Sequence, residues 1–449
     1  MCPQTEAAIS ARRQALDDAL ERLARLHPQK IDLSLGRLQR LLTALGSPQD
    51  VLPPVIHVAG TNGKGSTCAF LAEMAKAAGE RVHIYTSPHL VDFNERIRLY
   101  GEPVSDDVLM EAFARCEAAN FGEPITFFEI TTAAAFLLFS EHPSDRLILE
   151  VGLGGRFDAT NVIAKPALSV ITPVSLDHQD FLGDTIEKIA AEKAGILKFG
   201  VPAVISAQDE KARTVIAGEA RKVGAPLWVY GSDFDAYPQH GRLVYQDETR
   251  CWDLSSPGLI GPHQTINGGV AAACGAMLGW PEEAVSTGLA KARWPGRLQS
   301  ITAGPIGEIV RETGAEIWLD GGHNEAAARA LSHAFADMDE RQERPLILVC
   351  GFSPNKDVRG WFRHFTGLAR HVITVGFTSG RGGSIDPRDA AKLGMAEGFT
   401  VECASSLLHA VRTAARTRPA PRILIGGSLY LAGEALALGR DLPPQSTPG

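Results

Sequence analysis

Short apolar runs recur along the chain, and each is followed by a stretch with apolar residues at helical spacing. "VIHVAG" (55–60) reads as a strand and "STCAFLAEMAKAAG" (66–79) as a helix closed by Gly79. "RVHIYTS" and "RLILEVG" are further strands, with the helix "TTAAAFLLFSE" between them. "ALSVITPV", the helix "TIEKIAAEKAGILK" and "VPAVIS" continue the alternation. Strands with apolar residues on both faces, separated by helices, predict a parallel sheet covered on both sides, an α/β fold. The segment before Leu45 reads as helices. The stretch from Gly231 to Asp253 is polar, aromatic and helix-poor, which predicts short antiparallel strands or loops.

The alternation restarts after "RWPGRLQ" with "AEIWLD", the helix "NEAAARALSHAF", "PLILVCG", "HVITVGF" and "RILIGG". A boundary near Arg297–Ile301 follows, dividing the chain into 1–298 and 299–449. The tail "LPPQSTPG" reads as frayed.

A formal net charge of -8 with no long basic block argues against a partner bound through nucleic-acid phosphates. The 7 cysteines are scattered and never in C-x-x-C spacing, as expected of reduced thiols in the cytoplasm. No apolar run is long enough to span a bilayer, so no membrane partner is expected.

"AGTNGKGST" (59–67) lies between a strand and a helix, the setting of a phosphate-binding loop. Its spelling is unusual. Val58 stands where the common motif begins with glycine, and Gly65 separates Lys64 from Ser66. Glycines let successive N–H groups face one anion at a helix N-terminus. Lys64 can reach outer phosphates, and the Ser66 hydroxyl suits Mg²⁺. Glu150 ends a buried strand, where an open α/β sheet holds a metal or an attacking group, although a carboxylate there is often only a solvated terminus. His178 follows another strand and reads as a ligand, a base or a hydrogen-bonded structural residue. Lys193 lies within a helix. As an ammonium it ligates nothing, while as a carbamate it is a carboxylate-like ligand.

Taken in order, "GTNGKGST", "YTSPHL", "EVGLGGRFDATN", "DHQDFLG", "AAEKAGILK", "WPGRLQ", "LDGGHN" and "GGSLYLAG" span nearly the whole chain. This set resembles the folylpolyglutamate synthase/dihydrofolate synthase family of the Mur ligase superfamily. The resemblance implies a Mur-ligase-like phosphate-loop ATPase domain with a mainly parallel sheet, plus a C-terminal Rossmann-like α/β domain. It implies a monomeric ATP-dependent ligase that joins L-glutamate to dihydropteroate and to reduced folates through an acyl phosphate. Alternatives are an enzyme with one of these activities, a cell-wall Mur ligase, and a nucleotide-binding relative without catalysis. "TSPHL" and "GLGGRFDATN" speak against the cell-wall branch.

By the same resemblance Gly60, Thr61, Asn62, Gly63, Lys64, Gly65 and Ser66 hold the nucleotide, joined by Asn267, Arg297, Asp320 and His323. Ser66, Ser87 and Glu150 match ligands of one Mg²⁺. His178 and a carbamylated Lys193 match a second, and Lys64, His178 and Lys193 carry the catalytic expectation. Thr126, Phe127, Phe128, Glu129, Phe157, Asp158 and Ala159 match pterin-contacting positions, as does the loop "IDLSLGRLQ". The chain departs from the pattern at "DGGHN", where the family usually has alanine at the second residue.

Overall fold

The computed structural model of the chain describes residues 3–27, 32–380, 382–438 and 444–445, with side chains from residue 11 onward in those ranges. Cys2, Ile31 of the expected pterin loop, and all of the tail except Pro444 and Gln445 lie outside the described residues.

Eight strands form the larger sheet: β1 (Val55–Ala59), β2 (Val82–Tyr85), β3 (Ile97–Leu99), β4 (Glu102–Pro103), β5 (Arg146–Glu150), β6 (Leu168–Ile171), β7 (Ala203–Ile205) and β8 (Leu227–Val229). Their order is β4-β3-β2-β5-β1-β6-β7-β8. From β2 to β8 the pairing is parallel, and β3 and β4 add an antiparallel edge. Every residue of β1 is buried, as a strand covered on both faces requires. β5 lies on one side of β1 and β6 on the other. Their following loops run apart and leave a crevice beyond the carboxyl end of β1.

One face of this sheet carries the helix Lys64–Ala77, which is buried nearly all round and shows no single apolar stripe. It is trapped beneath the helices Pro262–Leu278 and Glu282–Lys291. A side chain at Gly288 would strike the main chain of Met74, so the glycine lets two helices meet closely. The other face carries Phe127–Glu141, whose Phe136 and Phe139 are fully buried. The helix-poor stretch forms the antiparallel strands β9 (Phe234–Gln239), β10 (Arg242–Asp247) and β11 (Cys251–Leu254). Their apolar side joins the core at Val270 and Ala273.

The second sheet contains β12 (Gln299–Ser300), β13 (Glu316–Leu319), β14 (Leu346–Cys350), β15 (Ala369–Val375), β16 (Val401–Ala404) and β17 (Arg422–Gly426). Its order is β12-β13-β17-β14-β15-β16, parallel throughout except at β12. Separate cores, around Val349 and Ile423 and around Trp361 and Phe362, lie on its two faces. Leu90, from the loop after β2, packs into the first of these cores and ties the two sheets together.

The expectation of a frayed tail does not hold at Gln445. Gln445 is 5% exposed and returns to the N-terminal part of the chain. Its anchors are polar, so the hydrophobic pattern of the tail gave no sign of them. Among the described residues no helix is long and apolar enough to cross a membrane, and all six cysteines there are free.

Candidate active site

The crevice beyond β1 widens into a cavity of about 1580 Å³ between the two sheets. Gly60–Ser66 lines its floor. Gly63 adopts φ 87, a left-handed conformation that favours glycine, and a side chain there would collide with Asn267. Lys64 curls over its own loop, with Nζ donating to the carbonyls of Gly60 at 3.2 Å and Thr61 at 3.3 Å. Lys193 reaches the same place from the helix Ile186–Ala194, and its Nζ donates to the Gly60 carbonyl at 2.9 Å. Burial, and then the charge of Lys64, pull the Lys193 amine down to about 7. A good part of it is therefore neutral and nucleophilic near neutral pH.

Ser66 is 2% exposed and its Oγ accepts from Gln264 Nε2 at 3.2 Å. Gln264 also accepts from Asn267 Nδ2 at 3.0 Å, so the helix Pro262–Leu278 braces the loop from above. Glu150, at the end of β5, accepts the Ser87 N–H at 3.3 Å. Its burial raises the carboxyl, opposed by the charges of Lys64 and Arg297 and by that N–H. Among the described residues no three His, Cys, Asp or Glu side chains converge as a metal cluster. Two hydroxyls and one buried carboxylate are hard oxygen donors. They suit Mg²⁺, which keeps waters and binds through one or two carboxylates with phosphate oxygens.

His178 is not at the strand end. It lies in the loop beyond β6, at φ 51, exposed on the cavity wall. Its neighbour Asp177 is the better-connected residue. Asp177 accepts from Lys356 Nζ at 2.6 Å and Asn324 Nδ2 at 3.1 Å, and pairs with His323 Nε2 at 3.3 Å. Burial pushes its carboxyl up, but the His323 hydrogen bond and the charges of His323, His178 and Lys356 outweigh burial and hold it well below the usual range. Asn324 also exchanges two amide hydrogen bonds with Asn62 of the phosphate loop, at 3.1 and 3.2 Å. The second sheet thus grips the nucleotide loop and its neighbour with three side chains.

Arg297 lines the cavity and feels Glu150. Asp320 lines it too, but its oxygens accept the N–H groups of Leu298 at 2.8 Å and Gly322 at 2.7 Å. Both bonds shape the turn on which Arg297 and His323 sit.

The pterin-matching residues divide. Thr126 and Glu129 form a reciprocal cap at the start of the helix Phe127–Glu141. Glu129 also accepts from Arg37 Nε at 3.0 Å, while its buried Oε1 has no hydrogen-bond partner among the described residues. Phe128, Phe157, Asp158 and Ala159 line the cavity. Phe127 does not. It is buried and meets Phe93 edge-on in the core. Successive helical residues point about 100° apart, so only one of two adjacent phenylalanines faces the cavity. Asp158 is held by Thr160 Oγ1 at 2.6 Å and the Leu153 N–H at 2.8 Å, and burial raises its carboxyl.

Sequence reasoning missed Asp177, Gln264, Asn324 and Lys356. Asp177 and Asn324 stood beside residues already singled out. Lys356 sits in the polar loop "SPNKD" after the buried β14, at the carboxyl end of a parallel strand, where ligand loops gather.

Comparison with known proteins places this geometry. Residues 58–275 match the Mur ligase middle domain, and residues 306–438 match the dihydrofolate synthetase C-terminal domain. A Bacillus subtilis dihydrofolate synthase/folylpolyglutamate synthase is 39% identical over 342 residues, covering 72% of this chain and 76% of the relative. An E. coli FolC structure in complex with DHPP and ADP superposes with a TM-score of 0.85 at 29% identity, covering 94% of this chain and 97% of that one. A bifunctional folylpolyglutamate synthase/dihydrofolate synthase with Mn, AMPPNP and L-glutamate bound gives 0.81 at 29%, with coverages of 94% and 97%.

The bridge through Asp177 yields a prediction. Asp177→Asn keeps the shape and leaves the Lys356 ammonium without its carboxylate, at a cost of about 2 kcal/mol. The cleft is expected to open, seen as a larger radius of gyration in small-angle scattering and a lower kcat/KM. Unaltered scattering and turnover would show that the bridge does not hold the two sheets together.

Proposed function

Because the chain belongs to the dihydrofolate synthase/folylpolyglutamate synthase family, we propose that it forms an amide between L-glutamate and the carboxylate of dihydropteroate, and likewise extends reduced folates. The observation that carries this reading is the shared cavity. A phosphate loop, a buried carboxylate and an aromatic lobe with an unpartnered Glu129 oxygen all line one space. A pterin ring offers N–H groups to that oxygen and a face to Phe128. Residues 1–298 and 299–449 act as two domains, and the reaction lies between them. The enzyme works as a monomer in the cytoplasm. The free cysteines among the described residues fit a reducing compartment.

A carboxylate and an amine do not condense in water unless the carboxylate is activated. Transfer of the γ-phosphoryl group of ATP to the acceptor carboxylate forms an acyl phosphate, releasing ADP. The glutamate amine then attacks the carbonyl carbon and phosphate leaves. The first step brings anions together. Lys64 swings from the Gly60 and Thr61 carbonyls onto the phosphates, where its charge offsets that repulsion. The loop N–H groups and the N-terminus of Lys64–Ala77 orient the nucleotide. Ser66, Ser87 and Glu150 would hold one Mg²⁺, and His178 with a carbamylated Lys193 would hold a second. Bound there, Mg²⁺ supplies charge neutralisation at the phosphates. The neutral Lys193 amine attacks CO₂ and loses a proton, giving the carbamate. Arg297 at the boundary between the domains and His323 of the second close over the nucleotide, and closure excludes water from the acyl phosphate.

Labelled glutamate with MgATP, run with dihydropteroate and separately with tetrahydrofolate, tests the assignment. Incorporation with both is expected, and incorporation with neither would overturn it. Lys64→Ala is expected to lower kcat at least ~100-fold, and near-normal turnover would remove its role. Lys193→Ala is expected to be nearly inactive and partly restored by added short carboxylates. Full activity without them would remove the carbamate.

A further inference from the structure

Gln445 lines the cavity wall and is itself buried, seated in a niche of the N-terminal part of the chain. Four groups contact the polar atoms of this residue. Its N–H donates to the Val91 carbonyl at 2.7 Å. Its main-chain carbonyl accepts from His89 Nε2 at 3.1 Å. The other nitrogen of that ring accepts from Arg96 Nε at 2.9 Å, which fixes the proton on Nε2. The side-chain carbonyl accepts the Phe93 N–H at 2.7 Å, and the side-chain amide donates to Asp17 Oδ1 at 2.8 Å.

This pattern of donor, acceptor, acceptor and donor belongs to one other unit that the reaction would make. In a chain of γ-linked glutamates, each internal unit carries an amide N–H, an α-carboxylate, a γ-carbonyl and the N–H of the next unit. Laid on Gln445, these meet Val91, His89, Phe93 and Asp17 in turn. Arg96, behind His89, favours the α-carboxylate. An α-linked glutamate would instead put its free γ-carboxylate against Asp17. It has no N–H there, and two anions would face each other. Asp17 therefore discriminates between the linkages.

Resting on the ligase reading above, we propose that this pocket is a subsite for an internal unit of a γ-linked glutamyl tail on the acceptor, and that Gln445 competes with that tail for it. Occupation by the chain's own residue lowers the apparent affinity for tailed acceptors in proportion to the time the pocket is filled. Acceptors without a tail, such as dihydropteroate, have no unit to place there.

Gln445→Ala in the full chain removes both side-chain hydrogen bonds. The ratio of kcat/KM for a folate with three γ-linked glutamates to that for dihydropteroate is expected to rise about tenfold. A ratio that stays the same or falls would overturn the competition. Adding Asp17→Ala to that variant is expected to abolish the gain, and a retained gain would overturn the subsite. An independent arm uses calorimetry on Gln445→Ala with tri-γ-glutamate and its α-linked isomer. Tighter binding of the γ-linked peptide is expected, and equal or reversed affinities would contradict the assignment. If the unaltered chain glutamylates neither acceptor, the ligase reading fails on its own, and the calorimetric comparison still decides the subsite.

Discussion

Two lysine side chains meet at one backbone carbonyl, that of Gly60. Much of the site follows from this crowding of positive charge beneath the phosphate loop. Two ammonium groups cannot be buried together without cost. One relief is to bring in an anion, which is what a nucleotide phosphate does for Lys64. The other is to lower the charge on one lysine, and burial beside Lys64 pulls Lys193 down in this direction. Glu150 across the crevice offsets Lys64, and Asp177, Asp158 and Glu192 act on Lys193, but burial of Glu150 opposes its charge. A loop arranged in this way is left with a demand for polyanion.

The same demand explains why the second sheet matters. Its contribution is to hold the far wall of a polar space, chiefly through Asn324, His323 and Lys356. These grip Asn62 and Asp177 rather than any apolar surface. Polar contacts across a wet cleft can exchange partners with ligands and water at modest cost. Leu90 is the apolar exception, and it lies in the loop after β2, close to the hinge-like stretch before β12. A bridge of this composition suits a cavity that opens to admit three small molecules and closes to exclude water.

The sheets, the loop and the residues singled out beside it were legible in the sequence, because each is written in contiguous residues. Strand runs, the glycines around Lys64 and the carboxylate ending β5 need no distant partner to be recognised. The unreadable part depended on long-range pairing. Asn62 and Asn324 are 262 residues apart, and nothing in either segment names the other. Phe127 and Phe128 are chemically identical, and only the orientation of the helix start decides which one faces the cavity. Asp320 reads as a ligand contact from its motif and does line the cavity, but its bonds to the Leu298 and Gly322 N–H groups are visible only in the fold. Gln445 lay in a segment with every mark of a loose end.

The central claim is that positive charge under the loop serves phosphoryl transfer to a carboxylate. It is tested most directly with an acceptor whose carboxylate oxygens carry a heavy isotope, turned over with MgATP and glutamate. The inorganic phosphate released is then examined by mass. Transfer through an acyl phosphate moves one acceptor oxygen into phosphate, so labelled phosphate is predicted in step with amide formed. Unlabelled phosphate alongside amide product would contradict it, since the carboxylate would then have been activated by some other route.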